Sequence, residues 1–125
     1  MYKVRVSLGE LIDKITILKI KLNTTNEKKK NNIKYEHDLL IEELNKSPVQ
    51  IDINYIKGLQ IINQKLWNVE DKIRLKEFNK NFDDEFIELA RSIYKLNDIR
   101  FDKKNQINKK YKSEIFEEKI YQKYN

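Results

Sequence analysis

From Ser7 onward the chain repeats apolar residues every three or four positions, the spacing that gathers them on one face of an α-helix. Leu8, Leu11, Ile12, Ile15, Leu18 and Leu22 form the first such face. Ile17 and Ile20 lie roughly opposite it, and a helix apolar on two sides belongs at the centre of a bundle. Ser7, with Glu10 three residues on, completes a capping-box pattern at its start. Residues 2–6, where Val4 and Val6 alternate with polar positions, read as a short extended lead-in. Asn23-Thr24-Thr25-Asn26 is a run of weak helix formers with cap chemistry, and predicts a turn. A second helix follows over about 27–45, with Ile33, His37, Leu40 and Leu44 on its face and Leu39 and Ile41 flanking. Ser47-Pro48 ends it, because proline disfavours helical geometry at the residue before it. Asp52 caps a third helix running to about Asn79. Its stripe of Leu59, Ile62, Leu66, Val69 and Ile73 has the alternating three- and four-residue steps of a bundle seam. Gly58 within that helix is expected to permit a close helix approach. Asn81-Phe82-Asp83 is the next break, with Asp83 as cap and Asp84 and Glu85 in a first turn where negative charge is favoured. A fourth helix spans about 84–111, and Ser113 is expected to start a short last helix carrying Ile115, Phe116, Ile120, Tyr121 and Tyr124. The predicted fold is all-α: one domain over residues 1–125, a bundle of four main helices plus a short C-terminal helix, preceded by the extended N-terminal segment.

The informative positions are those where a helical stripe should be apolar and is not. On the fourth helix the face runs Phe86, Ala90, Ile93, Asn97, Phe101, Lys104, Asn108, Tyr111. An amide without a partner in an apolar site costs on the order of 1–3 kcal/mol, so Asn97 needs one. Asp98 and Arg100 flank this stripe, and Arg91 sits one position beyond Ala90. The third helix carries a ridge of Asn63, Trp67, Glu70, Arg74 and Glu77 beside its apolar seam. One reading of the ridge is a solvent-facing Glu70–Arg74 pair with a half-buried Trp67. The other is a groove wall, in which Trp67 is a flat surface and Arg74 a planar fork for an anionic group. Asp13 lies on the second apolar face of the first helix, where a carboxylate requires a cationic partner. His37 reads as an interface histidine rather than a catalytic one.

Composition narrows the chemistry. The chain has no cysteine and one histidine, which removes disulfides, thiolate metal sites and thiol nucleophiles and argues against His-rich zinc sites and His-dependent triads. With Gly9 and Gly58 as the two glycines, neither a phosphate loop nor a dinucleotide fingerprint can be built. The paired acids Glu42-Glu43 and Glu70-Asp71 are adjacent rather than at the Glu-x-x-Glu spacing of helical nucleotide pyrophosphatases. No cofactor and no metal are expected. The formal charge is +6, but the surplus is spread as three, two and one over residues 1–46, 47–82 and 83–125. Phosphate-tracking proteins concentrate their cations on one element, so nucleic acid is not an expected partner. Arginine is scarce beside lysine, four residues against 22. Arg74, Arg91 and Arg100 are therefore candidates for bridges or ligand contacts that need a five-donor fork. No stretch approaches the roughly 18 to 20 apolar residues of a membrane span, and the start lacks signal-peptide features. The expected compartment is a reducing cytoplasm, bacterial or of a virus-infected cell.

Residues Val6 to Leu18 (VSLGELIDKITIL), Leu66 to Arg74 (LWNVEDKIR), Leu89 to Tyr94 with Asn97-Asp98, and Glu117 to Tyr121 resemble an uncharacterised family of small all-helical bacterial and viral proteins of unknown function. Residues 23–58 carry little of the resemblance. It implies a single helical domain that stands alone, and it supplies no catalytic residues. It marks Asp13, Glu70, Arg74, Arg91, Asn97 and Asp98 as part of the family's pattern. The function expected is non-catalytic binding: a polar groove between helices built from those six residues, with Trp67 at its wall. Its partner would be a small anionic ligand or a protein segment. Two alternatives stand beside it. One is an enzyme using the carboxylates as acid and base or around Mg²⁺, on a phosphorylated or nucleotide-like substrate. The other is a structural bundle that forms a homo-oligomer through exposed Tyr111, Phe116, Tyr121 and Tyr124.

Overall fold

The structure, a computed structural model, describes residues 1–125. It contains four helices, α1 (Leu8–Thr24), α2 (Glu27–Asn45), α3 (Ile53–Phe78) and α4 (Asp84–Lys110), and no strand. Each begins at a residue whose side chain accepts a first-turn amide: Ser7 from Glu10, Asn26 from Lys29, Asp52 from Asn54 and Asp83 from Phe86. Those bonds satisfy amides that have no partner within the helix, and they fix where the breaks fall. No helix is long and apolar enough to cross a membrane.

α1 packs against all three other helices, α3 and α4 form a hairpin, and α2 lies against α1 alone. The central position expected of α1 is therefore observed. Ile12, Leu59 and Ile107, one each from α1, α3 and α4, are fully buried and in contact, with Leu8, Leu44 and Tyr111 among the residues packed around them. Ile15, Leu18 and Ile20 of α1 and Ile62 and Leu66 of α3 extend this core. α2 contributes no buried residue; its apolar positions Ile33, Leu40 and Leu44 are half-buried. Eight hydrophobic and six polar or charged side chains are buried, so nearly half of the interior is polar. The candidate site is built from that half.

Two expectations are corrected. The short C-terminal helix from Ser113 is not formed: α4 ends at Lys110, and residues 114–125 are neither helix nor strand. Lys112 takes a left-handed φ of 52°, and the Ser113 amide bonds back to the Asn108 carbonyl at 2.8 Å. That is a Schellman-type reversal, which turns the chain back along α4. A helix of about a dozen residues is marginal without a face to bury, and this tail is held by side chains instead. At the other end, residues 1–6 are exposed and belong to no helix or strand. Finally, the close helix approach lies at Gly9 rather than Gly58. A Cβ on Gly9 would come within 2.5 Å of the Lys104 carbonyl oxygen, whereas one on Gly58 would meet only the Lys103 side chain, at 3.4 Å.

Candidate functional site

Because Gly9 has no side chain, the N-terminal half of α1 lies directly on the C-terminal half of α4. The two helices run antiparallel and are joined by a ladder of polar contacts. The Gly9 amide donates to Asn108 Oδ1 at 2.7 Å, and Lys104 Nζ donates to Glu10 Oε2 at 3.1 Å. Arg100 grips Asp13 with both arms of its fork, Nε to Oδ1 at 2.9 Å and Nη2 to Oδ2. From α3, Asn63 Nδ2 donates both to Asp13 Oδ1 at 2.9 Å and to Thr16 Oγ1 at 2.8 Å. Arg100, Lys104 and Asn108 recur every four residues along one face of α4, and they meet Asp13, Glu10 and Gly9 on the first turns of α1.

The electrostatics follow from burial and pairing. Asp13 is completely buried, and its carboxylate holds the Arg100 guanidinium above its ordinary pKa. Burial pulls the Lys104 ammonium down, but the carboxylates of Glu117 and Glu10 outweigh it and keep it above the usual lysine value. Such a pair is costly to break, above all by loss of Arg100, because the fully buried Asp13 carboxylate would be left without water or a cation. Asn108 Nδ2 and Asn105 Oδ1 remain buried without a hydrogen-bond partner.

The C-terminal tail covers the outer edge of this ladder. Glu117 Oε2 lies 2.7 Å from Lys104 Nζ, Lys119 Nζ stands 5.4 Å from the centre of the Phe101 ring, and the Tyr124 hydroxyl donates to Asp98 Oδ2 at 2.6 Å. Tyr124 also meets Tyr94 edge-on, with ring centres 4.9 Å apart. The Asp98 carboxylate pushes the Tyr124 phenol up to about 12. Beyond Ser113 the tail makes no backbone-to-backbone hydrogen bond; it is attached by side chains only. Between tail and helix runs an open groove of about 500 Å³, walled by Ile93, Asn97 and Asp98 on α4 and by Lys119, Tyr121 and Gln122 on the tail.

The residues expected to form one polar groove occupy four separate places. Asp13 is inside the ladder, and the cationic partner its position requires is Arg100. Glu70 and Arg74 face each other at 3.8 Å on exposed α3, with Arg74 mostly in water. Arg91 pairs with Glu88 at 3.1 Å, also exposed. Trp67 is half-buried on α3, and Asn97 and Asp98 line the groove beneath the tail. His37 is half-buried, with Nδ1 3.5 Å from Asp38 and Nε2 unpartnered. The ladder brings in Glu10, Asn63, Thr16 and Glu117, which sequence reasoning did not place in the site. The signal for its α4 side was present, since Lys104 and Asn108 interrupt an apolar stripe with Arg100 beside it. No three of the His, Asp or Glu side chains converge as a metal-ligand set.

Comparison with known proteins adds one match. A family model described as a family of unknown function (DUF6165) matches residues 2–124. No curated protein and no solved structure matches the chain.

Proposed function

We propose that this chain, which belongs to the DUF6165 family of unknown function, is a non-catalytic binding module whose docking surface is the face of α4 on which the C-terminal tail lies. One observation supports the reading: this face of α4 already holds a peptide segment, the tail that forms the groove's other wall, through side chains alone. The interior charges are engaged with one another, Asp13 with Arg100 and Glu10 with Lys104, and act as a latch between helices. On the tail side, Lys104 also meets Glu117 and Asp98 accepts from Tyr124, so this face of α4 engages charged and polar groups of a segment that makes no backbone hydrogen bond to it.

The chemistry of the seat defines what it takes. A carboxylate meets the Lys104 ammonium, a cation stacks on Phe101, and a phenol donates to Asp98. The ligand is therefore an extended protein segment with an acidic residue followed by a tyrosine, rather than a free anion.

A synthetic peptide of residues 113–125 titrated into the full-length ¹⁵N-labelled protein tests this. The amides of Tyr94, Asn97, Asp98 and Phe101 are expected to shift at millimolar peptide, the range set by competition with a tethered segment. Tyr124→Phe, which weakens the resident tail, is expected to lower the concentration needed. Shifts scattered over the surface, or none at those four residues, would refute this face of α4 as a docking surface.

A further inference from the structure

We propose that the C-terminal arm, residues 114–125, is exchanged between two copies of this chain, each arm lying on the other copy's α4 in the seat it occupies on its own. The proposal rests on this face of α4 being a docking surface and names its occupant.

Three observations lead to a second copy rather than an unrelated partner. The seat is complementary to this very segment at three separated points: Glu117 on Lys104, Lys119 on Phe101 and Tyr124 on Asp98. All three are side-chain contacts, so an arm from another molecule makes them equally well. Secondly, the arm's outward side is apolar. Ile120 is fully exposed and Ile115 and Phe116 are substantially so. Two arms crossing at a two-fold axis bring these side chains together and out of water. Thirdly, the hinge is strained. Lys112 holds a left-handed backbone that a side-chain-bearing residue disfavours, and a turn that doubles the chain back on its own helix is relieved when the arm extends to a neighbour. Exchange of an identical element through a strained hinge gives a closed, symmetric pair.

Within one copy the arm competes at a high local concentration, so exchange is a high-concentration process with a slow return. The chain has no cysteine, which allows a clean test with the full-length protein. Asn97→Cys and Gln122→Cys place thiols on opposite walls of the groove, at residues that make none of the three docking contacts. The two single variants are mixed at millimolar concentration and treated with a short bis-maleimide; the double variant is treated when dilute. The expected result is a covalent dimer from the mixture, well above a control mixture with Ser47→Cys in place of Asn97→Cys, and an intramolecular cross-link in the double variant. Adding Lys112→Gly to both single variants, which removes the hinge strain, is expected to lower the dimer yield at least about fivefold. If the double variant cross-links internally while the mixture stays at the control level, exchange is overturned and the docking reading stands. If the double variant does not cross-link internally, both fall. Sedimentation of the unmodified chain provides a second readout: a strict monomer at millimolar concentration also overturns exchange.

Discussion

Gly9 and Gly58 show how far the same residue type differs by position. At Gly9 the neighbouring helix backbone fills the space a methyl group would need, and the amide is used by Asn108. Gly9→Ala therefore forces α1 and α4 apart. We expect a loss of about 1–3 kcal/mol, the usual range for overpacking, read as a lower urea midpoint. Gly58→Ala meets only a flexible lysine and should raise stability by up to about 1 kcal/mol through helix propensity. Asp13 is the other residue on which the interior depends. Asp13→Ala takes away the acceptor of the Arg100 guanidinium and one of the two that serve the Asn63 amide, and about 3 kcal/mol is expected to be lost, the low end for a broken buried pair because Arg100 keeps some access to water. Sequence periodicity assigned Asp13 to an apolar face and so required a cation for it. It did not identify Arg100, 87 positions away, because the angle of a side chain on its own helix says nothing of the register between helices. The same gap explains why the close approach was expected at Gly58.

At the scale of elements, the helices were legible because their signals are local. Ser7, Asn26, Asp52 and Asp83 each sit one residue before a helix and cap it as their chemistry predicts. The ends are less regular. Both long helices finish with a lysine at positive φ, Lys80 at 54° and Lys112 at 52°, where glycine is the usual choice. After α3, Asn81 donates back to the Lys76 carbonyl at 2.9 Å, so the reversal is genuine. Lys80→Gly should relieve the left-handed strain and raise stability by up to about 1 kcal/mol, net of the freedom glycine gives the unfolded chain. A small rise in melting temperature is the measurement. The C-terminal segment was misjudged for a related reason. Its apolar spacing suits a helix, but what decides its shape is a set of contacts to α4 from Lys104 to Tyr94 that no local pattern contains.

Across the whole molecule, the tail contacts have a defined pH range. Asp98 raises the Tyr124 phenol to about 12, from a starting value of 10.0. A group whose pKa is raised by folding stabilises fully below its unfolded value, and that contribution disappears as the pH climbs through the folded one. Lys104 is also raised, so its link to Glu117 fails in the alkaline direction too. The tail should therefore come away between about pH 10 and 12, seen as sharpening of its amide or methyl resonances while the helices persist. Tyr124→Phe should weaken the tail at every pH and remove the tyrosine's part of this pH dependence, leaving only the Lys104-linked release. Of the expected site, Asn97 and Asp98 are in the groove and Asp13 is in the ladder behind it. Glu70, Arg74 and Arg91 spend their charge on neighbours along their own helices, and a pair that closes within one turn looks the same in sequence as one that reaches for a ligand.

The placement of α2 has its own consequence. A helix that leans on one neighbour, without a single enclosed side chain, is the cheapest part of the molecule to open. Its amides from Lys29 to Leu44 should trade hydrogen for deuterium long before those around Leu59 to Leu66, without global unfolding. When it swings away, the side of α1 it sheltered meets solvent while the remaining three helices stay assembled. The molecule then behaves as a durable three-rod unit with one movable shutter, and loss of the shutter precedes loss of the whole.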